Sequence, residues 1–382
     1  MPSTRATDGG SGRGAAPDGR RPAGRRRSLR ALLVAVAAGS AIAAVAALSG
    51  FHLGLRAIDP AGPNDVSELP GDAVVGIRTF TAPTTGITID EDLEYGARPD
   101  GTLLTLDVCA PAGSAAVRPA VLAIHGGSWA RGDKASDDWR LVCEWLASQG
   151  FVAASVNYRL VPDVTYPAAI DDVALAVSWL REPEQVAAYG IDPARVGAFG
   201  GSAGGNLAAL LGTVGDGPLD TGSRVGAVVE LSGPITLDAV SLGADQATPW
   251  LHGIVSDYLG CERASECPQA DLASPTTHVD ASDPPVLIAH ADDEIIPLAQ
   301  ADRFARTLEE AGVPVEFVVV AGEEHSIGIL DAGLRERVAT FLHAHLGWAE
   351  QLPVEQLAAP EADAAAAPAT DAPQATDSPA EG

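Results

Sequence analysis

Residues 87–347 predict an α/β chain, with a mostly parallel central sheet and helices on both faces, on three observations. Segments of strand character alternate with segments of helical spacing along this stretch. The inner strand-like runs are apolar throughout, as strands buried on both faces are. Between one such run, 196–199, and a helical run, 203–211, stands Gly200-Gly201-Ser202-Ala203-Gly204. Glycines two before and two after the serine permit a very tight strand-to-helix turn that offers the hydroxyl above the sheet.

Taken in order, residues 87–95 and 103–109 alternate apolar and polar side chains around Arg98-Pro99-Asp100-Gly101, which reads as an edge hairpin. Buried strands follow at 120–124, 152–157, 196–199, 225–231, 285–289 and 315–320, with helices at 137–148, 168–180, 203–211, 299–311 and 330–345. Ala168, Val173, Ala176, Val177 and Leu180 share one helical face, which core packing explains fully. The rhythm breaks over about 235–280, where no strand is evident. A small cap insertion over the carboxyl end of the sheet fits there, with Trp250, Leu251 and Tyr258 lining its pocket.

Both ends differ from this middle. Residues 1–30 are rich in Gly, Ala, Pro and Ser, hold eight arginines and have no apolar periodicity, so they read as a disordered basic n-region. Residues 31–55 carry no charge and only His52 is able to gain one, a length that crosses a bilayer core of about 30 Å. Such a run behind Arg25, Arg26, Arg27 and Arg30 suits a membrane better than a core, and it places everything beyond residue 56 outside the cytoplasm. Arg26-Arg27-Ser28-Leu29 resembles a twin-arginine signal and Ala44-Val45-Ala46 a cleavage site, so the segment is either a retained anchor or a signal h-region. A linker covers 56–86 and a catalytic domain 87–350, before a disordered acidic Ala/Pro-rich tail at 351–382.

The 382 residues carry a net charge of −27. Eight of the 24 basic residues and only two acidic ones precede residue 31, which leaves the remainder at −33. A polyanion of this kind repels nucleic acid and anionic lipid, so the charge serves solubility, and the membrane is met only through the N-terminal segment. Outside the membrane disulfides are allowed, and Cys261 and Cys267, close together in a polar loop, form the expected pair. No nearby His or Cys completes a zinc set, so no metal is expected. Cys109 ends a strand and Cys143 lies on an apolar helix face, which fits two buried thiols as well as a second bridge.

The second informative motif is His125-Gly126-Gly127-Ser128-Trp129, directly after the strand at 120–124. A lone HGG is often an ordinary turn. Ahead of G-x-S-x-G in an alternating chain, its backbone N–H groups suit an oxyanion hole, with Gly126 and Gly127 as donors and Ala203 as the partner after the serine. A serine nucleophile needs a base oriented by an acid, in the chain order Ser, Asp or Glu, His, each on a loop after a strand. His325 is the one histidine in the expected loop. The acid falls at Asp292 or Asp293, and spacing alone does not choose between them; Glu294, Glu323 and Glu324 read as solvated loop charges.

Together these segments are similar to the α/β-hydrolase fold, and residues 92–347 resemble esterases of the bacterial feruloyl-esterase-like and hormone-sensitive-lipase-like groups. The resemblance rests on HGGSWARGDK at 125–134, SVNYRL at 155–160, YPAAIDDVALAVSWL at 166–180 and YGIDPARVGAFGGSAGGNLAAL at 189–210, with ASPTTHV at 273–279 and DEIIPLAQA at 293–301. It implies that the acid opens a D-x-x-V-P-like segment, which selects Asp293. The family usually has His-Gly where this chain has His290-Ala291, and the loop here is one residue shorter. Gly201 stands where an acidic residue often precedes the serine, which favours the feruloyl-esterase-like branch, as does the Cys-x5-Cys loop.

What this implies is a carboxylesterase working through Ser202, His325 and Asp293 by an acyl-enzyme, with no cofactor, on small-molecule or polymer-borne esters. It would act outside the cytoplasm, anchored or secreted. An amidase or serine peptidase on the same fold is one rival, distinguished by assaying an amide against its matching ester. A non-catalytic binding module is the other, though such modules typically lose a triad member and all three are present here.

Overall fold

The computed structural model describes residues 85–98, 101–113, 116–262, 266–348 and 350–351, all within the unit 61–382. The expected membrane segment at 31–55, the n-region, most of the linker and nearly all of the acidic tail lie outside these residues. No helix among the described residues is long and apolar enough to cross a membrane.

The strands are β1 (Ile87–Ala97), β2 (Leu103–Pro111), β3 (Ala116–Ile124), β4 (Val152–Val156), β5 (Ile191–Gly201), β6 (Val228–Leu231), β7 (Val286–Ala291), β8 (Val315–Val320) and β9 (Glu350–Gln351). They run β1-β2-β4-β3-β5-β6-β7-β8, with β9 paired to β3. β1 and β2 are antiparallel to each other, and β2 to β4. From β4 to β8 every pairing is parallel. The hairpin is thus at the edge as expected, closed by hydrogen bonds from Gly101 N to Arg98 O (2.8 Å) and from Arg98 N to Thr102 O (3.0 Å).

The helices are α1 (Asp137–Ser148), α2 (Ala168–Leu180), α3 (Pro183–Tyr189), α4 (Ala203–Thr213), α5 (Ala239–Ala244), α6 (Pro249–Leu259), α7 (Gln269–Leu272), α8 (Leu298–Ala311) and α9 (Ala332–Leu346). Strand periodicity divides the core between them. Leu122 and Ile124 of β3 pack into one cluster with Val173 and Val177 of α2, Leu207 of α4 and Phe304 of α8. Val121 and Ala123 point to the opposite cluster, with Val142 and Leu146 of α1 and Val338 and Phe341 of α9. Each face removes large aliphatic and aromatic side chains from water, at about 1.5–3 kcal/mol for each fully buried one.

Some boundaries depart from the sequence pattern. The strand expected at 225–231 is regular only from Val228, and the helix expected from 330 begins two residues later, at Ala332, after a 3-10 turn at Ser326–Ile329. α9 then begins behind Asp331, whose side chain accepts from Leu334 N at 2.8 Å. That is the N-cap arrangement that satisfies an otherwise orphaned donor. α3 has no buried residue and so no periodic signature; its marks are a proline in its first turn and the left-handed Gly190 that ends it. Between β6 and β7 lie α5, α6, α7 and a 3-10 turn at Pro275–Thr277, with no strand among the described residues.

Both cysteine pairs are bridged: Cys261 to Cys267, as expected, and Cys109 to Cys143. The latter ties β2 to α1 across 34 residues. Closing a loop of that length restricts the unfolded chain by about 3–4 kcal/mol. The double replacement Cys109→Ala, Cys143→Ala is therefore expected to lose a stability of about that size in urea titration, with no change in which residues line the site. A loss below about 1 kcal/mol would contradict the entropic account.

Candidate active site

β5 stops at Gly201 and α4 starts at Ala203, which leaves Ser202 alone at the turn. Its backbone has φ 56° and ψ −123°, a region that L residues avoid and that persists only where the surroundings impose it. The imposing contacts are visible. Ser202 N donates to Leu231 O at 2.8 Å, and Asn206 N donates to Ser202 O at 3.1 Å. A Cβ at Gly200 would stand 2.0 Å from Gly204 O, and one at Gly204 2.0 Å from Ile124 O. The two motif glycines are thus needed because backbone passes against backbone on either side of the serine.

The HGG loop abuts this turn. A Cβ at Gly126 would come 2.8 Å from Gly201 O and 3.1 Å from Ser202 Cβ. His125 is buried, its Nδ1 lies 2.8 Å from Gly126 O, and its ring stacks on Tyr158 at 4.4 Å. The carbonyl only accepts, so Nδ1 carries the hydrogen. Burial pushes the imidazole down to about 4 against the pull of the Gly126 carbonyl and Asp133, so His125 is a neutral prop for the loop. At the loop's far end Lys134, the chain's only lysine, is 4% exposed and its Nζ meets Asp107 at 2.6 Å and Asp92 at 2.8 Å. Trp129 stacks on Tyr258 of α6 with centroids 4.0 Å apart, so the segment between β6 and β7 leans on the same loop. Tyr258 and Leu251 are core residues here and do not face an open pocket, while Trp250 is half-buried.

His325 lies directly before the 3-10 turn after β8 and is 2% exposed. A side chain at position 201 would meet Ser326, its Cβ only 2.1 Å from Ser326 Oγ, so the flanks of Ser202 and His325 touch. That collision accounts for glycine at 201. The ring's Nδ1 is engaged by Glu294 Oε2, and not by Asp293.

The expected pairing of Asp293 with His325 is therefore corrected. Asp292 and Asp293 are both exposed: Asp292 Oδ1 accepts from Gly322 N at 2.9 Å, and Asp293 N donates to Gly322 O at 3.1 Å. They fasten the loop after β7 to the loop after β8. Glu294, expected as a solvated charge, has a side chain with 0% exposure. Burial would raise its carboxyl, but the charge and hydrogen bond of His325 and the close approach of the His290 ring outweigh it and hold the group at about 2. Glu323 and Glu324 are exposed, as expected. Among the described residues no group of three or more His, Cys, Asp or Glu is arranged to hold a metal ion.

A model of the BD-FAE family matches residues 106–308, more than half of the chain. The chain belongs to the BD-FAE family. The match runs from β2 to α8 and so takes in Ser202, the HGG loop and Glu294, with His325 beyond it. A carbohydrate esterase from gut microbiota is similar in structure at a TM-score of 0.57, with 26% identity over 69% of this chain and 99% of that one. A thermophilic esterase from the Planctomycetes species Thermogutta terrifontis follows at 0.55, with 26% identity over 71% and 97%. These neighbours, with the strand order above, establish the α/β-hydrolase fold. Esterase LipQ of Mycobacterium tuberculosis is 30% identical over 261 residues, 65% of this chain and 59% of LipQ. The chain spans less than two thirds of the length of the curated relatives it matches.

Proposed function

We propose that this protein is a carboxylic ester hydrolase in which Ser202, His325 and Glu294 form the triad. The observation that carries the reading is the buried Glu294–His325 pair on a segment whose Ser326 abuts Gly201, the neighbour of a serine held at φ 56°. Because Glu294 occupies Nδ1, the nitrogen left to take a proton from Ser202 is Nε2. Ser202 Oγ attacks the ester carbonyl and gives its proton to His325. The oxyanion is met by N–H groups of Gly126, Gly127 and Ala203; the last opens α4, so it has no acceptor inside the helix. Collapse expels the alcohol, which takes the proton from His325 and leaves an acyl-serine. Water, deprotonated by the same imidazole, then releases the carboxylic acid and restores Ser202.

Esters of polar alcohols, those of carbohydrates among them, are the proposed substrates, supported by the carbohydrate esterase among the structural neighbours. An extracytoplasmic location is supported by the two disulfides, which persist in oxidising compartments.

The test is covalent labelling. A fluorophosphonate should add once per chain, on the peptide containing Ser202, and abolish hydrolysis of p-nitrophenyl acetate in step. Labelling elsewhere, or full labelling with activity retained, would remove Ser202 from the mechanism.

A further inference from the structure

Behind Glu294 lies a second imidazole that the acyl-transfer scheme does not use. His290, on β7, has a side chain with 0% exposure, and its Nε2 is 2.9 Å from Ile296 O and 2.8 Å from Glu294 Oε1. A carbonyl only accepts, so Nε2 carries a hydrogen, and that hydrogen is aligned on Ile296. The contact with Glu294 Oε1 lacks hydrogen-bond alignment, since that oxygen has no aligned donor. An approach of 2.8 Å without alignment is favourable only if the ring brings charge.

The opposite side of the ring points the same way. His290 Nδ1 is buried without a hydrogen-bond partner, and so is Oε2 of Glu230. Glu230 is on β6, and its register opposite Ile288 puts it on the same sheet face as His290. α4 packs over that face with Gly205, whose Cβ would come 2.9 Å from Glu230 Oε1, and the neutral Asn206, so it adds no charge. The titratable groups acting on His290 are thus Glu294, held as a carboxylate, and Glu230, whose carboxyl burial pushes up to about 7 against the pull of His290 and the Gly233 N–H. Glu294 therefore supplies the larger part of the negative charge. Burial disfavours the protonated form of His290, and Glu294, the Ile296 carbonyl and, last, Glu230 together outweigh burial and raise it.

We propose that His290 is a positioning residue for the reaction: as a buried imidazolium between Glu294 and Glu230, it holds the second oxygen of Glu294 and places a positive charge behind the acid that orients His325. This rests on the triad proposed above. A glutamate has one more rotatable bond than an aspartate, so a carboxylate in this role needs the second anchor to keep one orientation. The charge has a kinetic consequence as well. Partly neutralising Glu294, it makes a further proton at the Glu294–His325 pair harder to accept, and so keeps the site in its active form to lower pH.

Two variants test it, with kcat, KM and the pH profile of kcat/KM read on p-nitrophenyl acetate. His290→Ala removes anchor and charge; kcat should fall about tenfold to a hundredfold, the usual cost of losing a partner that orients a functional ligand, with KM within about twofold. His290→Gln keeps an N–H donor and loses the charge; kcat should recover to within about fivefold, and the acid limb should move up by about half to one pH unit. An acid limb in His290→Gln that coincides with the unmutated protein overturns the proposal, and this holds even if His290→Ala does not fold. Wild-type kcat in a folded His290→Ala overturns it too. Glu294→Gln separates the two readings. If it stays active, the triad fails; if it is inactive while His290→Gln has an unmoved profile, only the role of His290 fails.

Discussion

Glu294→Gln is expected to lower kcat on p-nitrophenyl acetate by about 10³- to 10⁴-fold, while Asp293→Asn and Asp292→Asn each stay within about threefold of the unmutated enzyme, as is usual for exposed sites. The amide keeps the shape of the carboxyl but offers Nδ1 of His325 either a carbonyl or an N–H. The imidazole then loses its preference for the tautomer that leaves Nε2 as a base, and the imidazolium formed during attack loses its counter-charge. The two aspartates stand in water and hold loop backbone at Gly322, so their removal alters a fastening and leaves the imidazole's partner intact. Steady-state kinetics on folded variants, with thermal melts as the folding control, read the result. A larger loss in Asp293→Asn than in Glu294→Gln would return the acid's role to Asp293.

Gly204→Ala is the second large effect, and it acts through the backbone. The added methyl would stand 2.0 Å from Ile124 O and 2.6 Å from His125 O, both main-chain atoms that cannot swing aside. α4 must therefore back away from β3, carrying Ser202 and Ala203 from Gly126. Overpacking of this kind costs about 3 kcal/mol or more, which lowers the melting temperature by about 6–12 °C in a domain of this size. Activity per folded molecule should fall more than about a hundredfold, since displacement of about 1 Å costs that much in a positioned site. Gly253→Ala in α6 is the control: nothing lies within 4 Å of its added methyl, and a helix interior favours alanine over glycine by about 1 kcal/mol. Equal behaviour of the two variants would contradict the close-packed elbow.

Much of this architecture was legible in the residues. α1 and α2 begin and end where helical spacing placed them, because each has a clear apolar face and short polar neighbours. The elbow and the HGG loop were legible because glycine at those positions reports a backbone approach directly. Two things were hidden. α3 buries nothing, so it writes no periodicity. The partner of His325 was hidden because the D-x-x-V-P likeness counts back four residues from Pro297 to Asp293, whereas Glu294 stands three back. The available signal was apolar context, since Glu294 leads into Ile295-Ile296 and the aspartates do not. Cys109 and Cys143 fitted two outcomes because one strand residue and one helix residue on facing apolar surfaces are adjacent whether or not they bond.

The groups assigned to the reaction arrive from the ends of four parallel strands: Gly126 after β3, Ser202 after β5, Glu294 after β7 and His325 after β8. A ribosome releases them in that order, so a nascent chain presents its serine more than a hundred residues before its base. Until β8 has paired with β7 the segment that carries His325 cannot settle against the flank of Ser202, and on the proposed mechanism the emerging polypeptide would be inert toward the esters of the cell that makes it. The proposed esterolysis would accordingly be a late event of biosynthesis, its onset reporting that the last parallel strand has docked.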